Sequence, residues 1–143
     1  MLKRMKDITN EEAIQFLKNN HARKEQVAYD NADRWIECYV KQLWYNLTFK
    51  KLVGVVGISN TKNVARIKGL YVLKDYRHKH IGINLVRLLL QQPEFWQKKR
   101  STLFATKSSK GLFEQVGYRV KSTNKYDISF MERPINDSIF KGY

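Results

Sequence analysis

The stretch Arg66–Gln92, RIKGLYVLKDYRHKHIGINLVRLLLQQ, decides the fold predicted for this chain. Its first part, Ile67–Leu73, is rich in β-branched and aromatic residues, which is typical of a β-strand. Its last part, Ile81–Leu90, has apolar residues spaced as on one face of an α-helix. A short basic turn, Lys74–His80, joins them. Because the first N–H groups of a helix have no partner within it, this order of elements predicts a phosphate-binding site.

Two segments of the chain resemble known motifs. The predicted strand ends in the run Leu70-Tyr71-Val72, and the turn Arg77-His78-Lys79-His80-Ile81-Gly82 follows it. Further along lies Gly111–Tyr118, GLFEQVGY. In this order and spacing the segments resemble the acyl-CoA-binding motifs of the GNAT superfamily of N-acyltransferases. That family usually shows Arg-x-x-Gly-x-Gly or Ala at the turn; here the first glycine is replaced by His80 and the second is Gly82.

The resemblance implies an α/β fold for a single domain of residues 1–143. Its core is a mixed sheet of six to seven mostly antiparallel strands with helices on both faces. The length of 143 residues also favours one domain. The single cysteine, Cys38, excludes an internal disulfide.

Local patterns predict the remaining elements. Thr9 and Glu12 form a capping box that opens a helix ending near Asn20. The other predictions are an edge strand in Met1–Ile8, a short helix or a loop and helix in His21–Tyr39, a strand over Leu43–Phe49, a turn at Lys50-Lys51, a buried strand over Leu52–Ser59, Pro93 ending the main helix, a strand over Ser101–Thr106, a helix from Ser108 or Ser109 to Val116, and a hairpin of Tyr118–Val120 with Lys125–Met131.

The resemblance also implies a binding site for acetyl-CoA or another acyl-CoA. The diphosphate would bind backbone donors of the turn, and the strand end would splay from its neighbour at a bulge, so that free N–H groups polarise the thioester carbonyl. Histidine tolerates the left-handed backbone usual for a glycine, at some cost. The implied cofactor-binding residues are Leu70, Tyr71, Val72, Arg77, His78, Lys79, His80, Ile81, Gly82, Ile83, Thr106 and Phe113.

The catalytic acid and base remain unassigned. The tyrosine that serves as the acid in many family members falls on Phe113, which has no proton to donate, and a common asparagine falls on Thr106. No glutamate stands on the strand where a base often lies; Arg66 and Lys68 face that side instead. Two explanations stay open: transfer through positioning and backbone donors alone, with water carrying protons, or a fold used for binding without catalysis.

Three other interpretations compete with these. The turn could be an ordinary basic surface turn before a helix. His78 and His80 could form a metal pair, but no carboxylate or cysteine is evident as a further ligand, so no metal site is predicted. Cys38 could carry an acyl group, against the alternative of a buried small apolar residue.

The charge predicts an anionic partner. Lys and Arg number 27 against 13 Asp and Glu, a net charge of +14. Such an excess attracts polyanions, although a lysine-rich solvated surface is the alternative. Between Trp96 and Tyr126 the only acidic residue is Glu114, against the basic residues Lys98, Lys99, Arg100, Lys107, Lys110, Arg119, Lys121 and Lys125.

The leading hypothesis is an N-acyltransferase that moves an acetyl or other acyl group from acyl-CoA to an amine. Nucleic acid, or an acceptor associated with DNA or RNA, suits the charge. The rings of Trp35, Trp44, Tyr45 and Trp96 could stack bases, against the alternative that most of them pack in the core. The alternatives are a small-molecule or protein-lysine acetyltransferase, with a pocket made acidic by Asp30, Asp33 and Glu37, and a non-catalytic binding module, perhaps encoded by a phage or mobile element. A homodimer is consistent with the family.

No membrane partner is predicted, because no stretch approaches 18 apolar residues. The basic N-terminus has no apolar run behind it, so no export signal is predicted and a cytoplasmic location is expected.

Overall fold

A single seven-stranded sheet organises the computed structural model, which describes residues 3–92, 95 and 98–135. The strands are β1 (Lys3–Ile8), β2 (Arg34–Trp44), β3 (Leu47–Asn60), β4 (Val64–Val72), β5 (Arg100–Ala105), β6 (Arg119–Thr123) and β7 (Ser129–Pro134). Their order in the sheet is β1-β2-β3-β4-β5-β7-β6. All neighbours are antiparallel except β4 and β5, which are parallel. This confirms the predicted mixed, mostly antiparallel sheet.

Helices cover both faces of the sheet, as predicted. Helix α1 (Asn10–Asn19) packs on one face, where its Leu17 lies in a core cluster with Trp35 and Val55. Helices α2 (Ile81–Leu90) and α3 (Lys110–Gln115) pack on the other face. Because successive strand residues point to opposite faces, β2, β3 and β4 each contribute apolar side chains to both clusters.

The start of α1 links the helix to the sheet. The predicted capping box is present: the Thr9 hydroxyl accepts from the Glu12 N–H at 3.1 Å, and the Glu12 carboxylate accepts from the Thr9 N–H at 3.5 Å. The next residue, Asn10, accepts at Oδ1 from Trp35 Nε1 at 2.7 Å and from the Ala32 N–H at 2.8 Å. These two bonds fix the orientation of the buried indole.

The helix predicted within His21–Tyr39 is largely wrong. A single 3₁₀ turn, Ala22–Glu25, is helical, and strand β2 begins at Arg34. The reason is tertiary. Trp35 and Ile36 are buried because β2 pairs with β1 on one side and β3 on the other, and an apolar run alone does not distinguish such a strand from a helix.

The strand predicted over Leu43–Phe49 is in fact a hairpin. Tyr45 and Asn46 form a two-residue turn with φ of +47° and +66°, and Trp44 pairs with Leu47 across it. Two-residue hairpin turns favour such left-handed residues. The turn predicted at Lys50-Lys51 is also wrong, since both residues lie within β3.

The hairpin projects beyond its neighbours in the sheet. In the part of the chain that the structure describes, β1 pairs with β2 as far as Val40, and β4 begins to pair with β3 at Gly54. We call residues 41–51 the β2–β3 arm; within it, residues 41–50 pair only with each other in the described sheet, and Lys51 pairs with Val40 at its base. The arm carries large exposed apolar side chains: Leu43, Trp44, Tyr45, Leu47 and Phe49.

The other local predictions agree closely with the structure. Helix α2 covers the predicted Ile81–Leu90, the edge strand is β1, and Leu52–Ser59 lies within the longer β3. The strand at Ser101–Thr106, the helix before Val116 and the late hairpin correspond to β5, α3 and the pair β6–β7. Ser109 is the residue before α3, although it makes no side-chain capping bond to that helix. The role given to Pro93 lies outside the described residues.

Candidate functional site

Strands β4 and β5 diverge in the middle of the sheet. Their parallel ladder has three pairs and ends where Arg66 lies opposite Thr102. Beyond that point the described residues of the two strands form no further ladder pairs, while β5 continues to pair with β7 on its other side. The predicted splay at the end of β4 is therefore present.

A bulge in β4 accompanies the splay. In the ladder with β3, Gly57 pairs with Lys68 and Val55 pairs with Tyr71, so two residues of β4 face a single residue, Val56. One of the two, Gly69, has φ of +66°. A Cβ at this position would lie 2.4 Å from Cη2 of Trp35, so the bulge requires glycine for both its backbone and its space.

The start of α2 presents free backbone donors. The first described helical bond runs from the Asn84 N–H to the His80 carbonyl at 3.0 Å, so the N–H groups of Ile81, Gly82 and Ile83 have no helical partner. His80 precedes the helix with φ of +64°, in the left-handed conformation that the family's glycine favours, and makes no side-chain capping bond. The helix dipole adds positive potential at these donors.

Arg77 is held by an acidic residue that the sequence did not point to. Its Nη1 and Nη2 donate to the two carboxylate oxygens of Glu25 at 2.7 and 3.1 Å, and its Nε donates to the Val72 carbonyl at 2.8 Å. The Tyr71 hydroxyl donates to Glu25 at 2.9 Å. Arg77 thus ties the 3₁₀ turn to the end of β4, and its guanidinium nitrogens already donate to acceptors within the protein.

The charges in this network reinforce one another. The hydrogen bond from Arg77 holds the pKa of Glu25 below its ordinary value, and the same bond raises the pKa of Arg77. Burial, followed by the bond to Glu25, raises the pKa of the Tyr71 phenol. Glu25 therefore remains ionised near neutral pH and acts as an anchor rather than as a base poised to accept a proton.

A cleft of about 690 Å³ joins the splay, the bulge and the start of α2. All the predicted cofactor residues line it except Lys79. Further walls come from residues 25–28 and Asp30, from residues 66–69 of β4, from Leu103 and Phe104 of β5, and from Ser108, Ser109 and Leu112. Thr106 helps to shape the last of these walls, because its N–H donates to the Ser109 hydroxyl at 3.0 Å.

The aromatic residues of the late motif do not offer a proton. Phe113 lines the cleft but is only 3% exposed, and its ring lies edge-on to Tyr118 with centroids 5.8 Å apart. The Tyr118 hydroxyl donates to Ser101 Oγ at 2.6 Å, and burial raises the pKa of this phenol further than that bond lowers it. The structure thus provides no tyrosine acid at either position.

Several other candidates from the sequence lie away from the cleft. Cys38 is buried in the sheet. Glu37 is also buried and accepts from Lys50 Nζ at 2.7 Å, while Asp33 accepts from the Asn60 N–H at 2.6 Å. Of the three acidic residues considered for the acceptor pocket, only Asp30 lines the cleft.

Sequence reasoning missed Glu25 and the loop that follows it. Their side chains reach the cleft only because α1 and the 3₁₀ turn fold over the end of β4. Nothing in the sequence distinguishes Glu25 from the other acidic residues of the chain, which has 13 in all, and its partner Arg77 lies 52 residues away.

Among residues 3–92, 95 and 98–135, no group of three or more His, Cys, Asp or Glu side chains is placed to hold a metal ion. The helices in the same part of the chain are too short or too polar to cross a membrane.

The chain matches a family model and several solved structures. The model described as an acetyltransferase (GNAT) domain matches residues 5–130. Among curated proteins, none matches this chain in sequence.

Solved structures share the fold at low identity. A GNAT-family acetyltransferase from Staphylococcus aureus Mu50 is 15% identical, with a TM-score of 0.68 over 94% of this chain and 100% of that one. The IAA acetyltransferase from Bacillus cereus ATCC 14579 is 15% identical, with a TM-score of 0.66 over the same shares. Ard1 from Thermoplasma volcanium is 12% identical, with a TM-score of 0.70 over 95% and 99%. These likenesses show the fold, and the match to the family model shows that the chain belongs to the GNAT acetyltransferase family.

Proposed function

We propose that this chain is an acyl-CoA-dependent N-acyltransferase that uses acetyl-CoA. The observation that carries the proposal is the cleft, which joins free backbone donors at the start of α2 to the splayed ends of β4 and β5. A diphosphate needs convergent N–H donors, and the first turn of α2 supplies them from Ile81, Gly82 and Ile83. The extended pantetheine arm needs strand edges with free hydrogen-bonding groups, which the splay supplies.

The proposed acyl transfer can proceed without a catalytic side chain. Acetyl-CoA, when bound, supplies a thioester carbonyl that is open to attack by a neutral amine. In the transfer a carbon–nitrogen bond forms, the carbon–sulfur bond breaks, the amine loses a proton to water and the thiolate takes one up from water. The backbone N–H groups at the end of β4 would stabilise the developing oxyanion. Positioning in the cleft would supply much of the remaining acceleration, consistent with Phe113 in place of a proton donor.

The test is the thermal unfolding midpoint with acetyl-CoA, and with CoA and adenosine diphosphate as controls. A ligand at about 100 times its dissociation constant stabilises the folded chain by about 2.7 kcal/mol, so we expect the midpoint to rise by several degrees. CoA should give a similar shift and the diphosphate alone a smaller one. No shift at millimolar acetyl-CoA would contradict the proposal and favour the non-catalytic binding module.

The β2–β3 arm favours nucleic acid as the macromolecule that carries the acceptor. Trp44 and Tyr45 at its tip are 62% and 84% exposed, with ring centroids 5.2 Å apart, whereas Trp35 is buried. The sequence has no acidic residue between Glu37 and Asp75, and the arm carries three lysines, of which Lys50 pairs with Glu37. Exposed rings on a basic ribbon suit the stacking of unpaired bases.

Removing the two rings at the tip is expected to weaken binding of a single-stranded oligonucleotide by about tenfold or more, because each stacked base contributes about 1–3 kcal/mol. The measurement is fluorescence anisotropy of labelled DNA and RNA against Trp44→Ala/Tyr45→Ala, repeated at several salt concentrations. Tyr126→Ala is the control, because Tyr126 is also exposed and lies beside a lysine, Lys125, elsewhere on the surface. If the tip variant and Tyr126→Ala lose the same affinity for the oligonucleotide, or if the wild type does not bind it, nucleic acid is not the acceptor class.

A further inference from the structure

An arginine and a phenylalanine form an exposed pair at the splay. The guanidinium carbon of Arg66 on β4 lies 5.0 Å from the ring centroid of Phe104 on β5. Their chain neighbours Ala65, Ile67, Leu103 and Ala105 all point into the core that includes α2. Because strand side chains alternate, Arg66 and Phe104 lie on the opposite face of the sheet from α2.

Both residues also line the same cleft as the start of α2. The cleft therefore reaches both faces of the sheet at the splay. On one face it meets the helix donors to which we assign the cofactor. On the other it meets Arg66 and Phe104, so a second molecule entering from that face would approach the bound acyl group.

Arg66 is the cation whose charge is least compensated at this end of the cleft. Lys68 lies 3.8 Å from the Asp30 carboxylate and donates to the Asn31 carbonyl at 2.8 Å. Arg77 is held by Glu25. Within the described ranges 3–92, 95 and 98–135, no carboxylate lies within 4.0 Å of the Arg66 guanidinium.

The geometry of the pair suits a specific kind of ligand. A guanidinium packed against an aromatic ring keeps the N–H donors along its edge available, and this planar fork matches a carboxylate or a phosphate. The Phe104 ring is 56% exposed and lies 5.2 Å from the Phe130 ring, which makes a small apolar platform beside the cation. A flat group of a ligand can stack there while its oxyanion binds Arg66.

We propose that the acceptor is an amine that also carries an oxyanion, a carboxylate or a phosphate, together with a flat apolar group. Arg66 binds the oxyanion and Phe104 receives the flat group. This proposal rests on the proposed acyltransferase function. Arg66 belongs to the last pair of the β4–β5 ladder, so a ligand anchored there extends directly into the splay. The same positive charge repels polyamines and lysine-rich peptides.

The test compares matched ligands by isothermal titration calorimetry on protein saturated with CoA, which keeps nucleotides out of the cofactor end. The carboxylate arm is phenylalanine against phenylalaninamide, and the phosphate arm is adenosine 5′-monophosphate against adenosine. We expect the anionic member of at least one pair to bind about tenfold more tightly than its partner, and the arm that responds identifies the source of the oxyanion.

Arg66→Gln should remove this preference, with the anionic ligand binding about tenfold more weakly than to the wild type. The matched control is Arg100→Gln, which removes the same charge from an exposed arginine at the start of β5, outside the cleft and paired with Glu132 at 3.2 Å. CoA affinity should be unchanged in both variants. The inference is wrong if neither anionic ligand binds the wild type better than its neutral partner. It is also wrong if both variants lose the same affinity for the anionic ligand. A failure of CoA itself to bind would instead overturn the proposed function.

Discussion

Acetyl-CoA binding is expected to fall at least about 100-fold when Gly82 is replaced by glutamate. A Cβ at this position would already lie 3.0 Å from Cδ1 of Leu112, which is tighter than ordinary contact. The new carboxylate would also occupy the first turn of α2, where the free N–H groups attract an anion, and it would repel the diphosphate proposed to bind there. Calorimetric titration of acetyl-CoA into the purified variant measures the loss.

The same substitution at Gly111 is the control for this experiment. A Cβ at Gly111 meets no atom within 4 Å, and the residue lies in α3 outside the lining of the cleft. Gly111→Glu should therefore bind acetyl-CoA as the wild type does, with the same change in net charge. If Gly82→Glu also retains wild-type affinity while remaining folded, the diphosphate does not bind at the start of α2.

Replacing Gly69 by alanine is expected to lower the free energy of unfolding by about 3 kcal/mol or more. Left-handed backbone at a residue other than glycine costs about 1–3 kcal/mol, and crowding in a packed core costs a similar amount. The crowding here is severe, because the new methyl group would lie 2.4 Å and 2.7 Å from two ring carbons of Trp35. That ring is 1% exposed and bonded to Asn10, so it has little freedom to move aside. Urea unfolding followed by circular dichroism measures the change.

Making the same substitution in a Trp35 variant separates the cost of the left-handed backbone from the cost of crowding. In Trp35→Leu, which lacks the ring carbons that the new methyl group would meet, Gly69→Ala should cost less, and the remainder reports the left-handed backbone alone. An alanine variant with wild-type stability in the native background would show that the bulge does not have the described geometry. Because the bulge shapes the end of β4, Gly69→Ala should also weaken acetyl-CoA binding in whatever fraction remains folded.

Short-range signals in the sequence determined the elements around which the site is built. The helical spacing of Ile81–Leu90 predicted α2, and the capping box of Thr9 and Glu12 predicted the start of α1. These signals work because a helix start depends on side chains within one turn of each other. The motif resemblance placed the splay at Leu70–Val72, and the structure has the two strands diverging along that part of β4.

Longer-range features were decided only by the tertiary structure. Strand β2 was mistaken in part for a helix, because its apolar residues acquire meaning only from pairing with β1 and β3. The hairpin turn at Tyr45-Asn46 was not predicted, because Leu43, Tyr45, Leu47 and Phe49 keep the alternate spacing of a strand straight through it. Asn46 is a residue that tolerates the left-handed backbone of such a turn, but Tyr45 is not, and no glycine marks the position.

The charges of the cleft were likewise predicted in part from the sequence and decided in part by the tertiary structure. Composition alone established the net charge of +14 and predicted an anionic partner. Which cations remain available was decided by partners distant in sequence: Glu25 engages Arg77, Asp30 lies beside Lys68, and Arg66 rests on Phe104 instead of a carboxylate. The sequence by itself thus determined the family and the position of the turn before α2. The fold decided which charges face an acceptor, because those distances exist only once the sheet has formed.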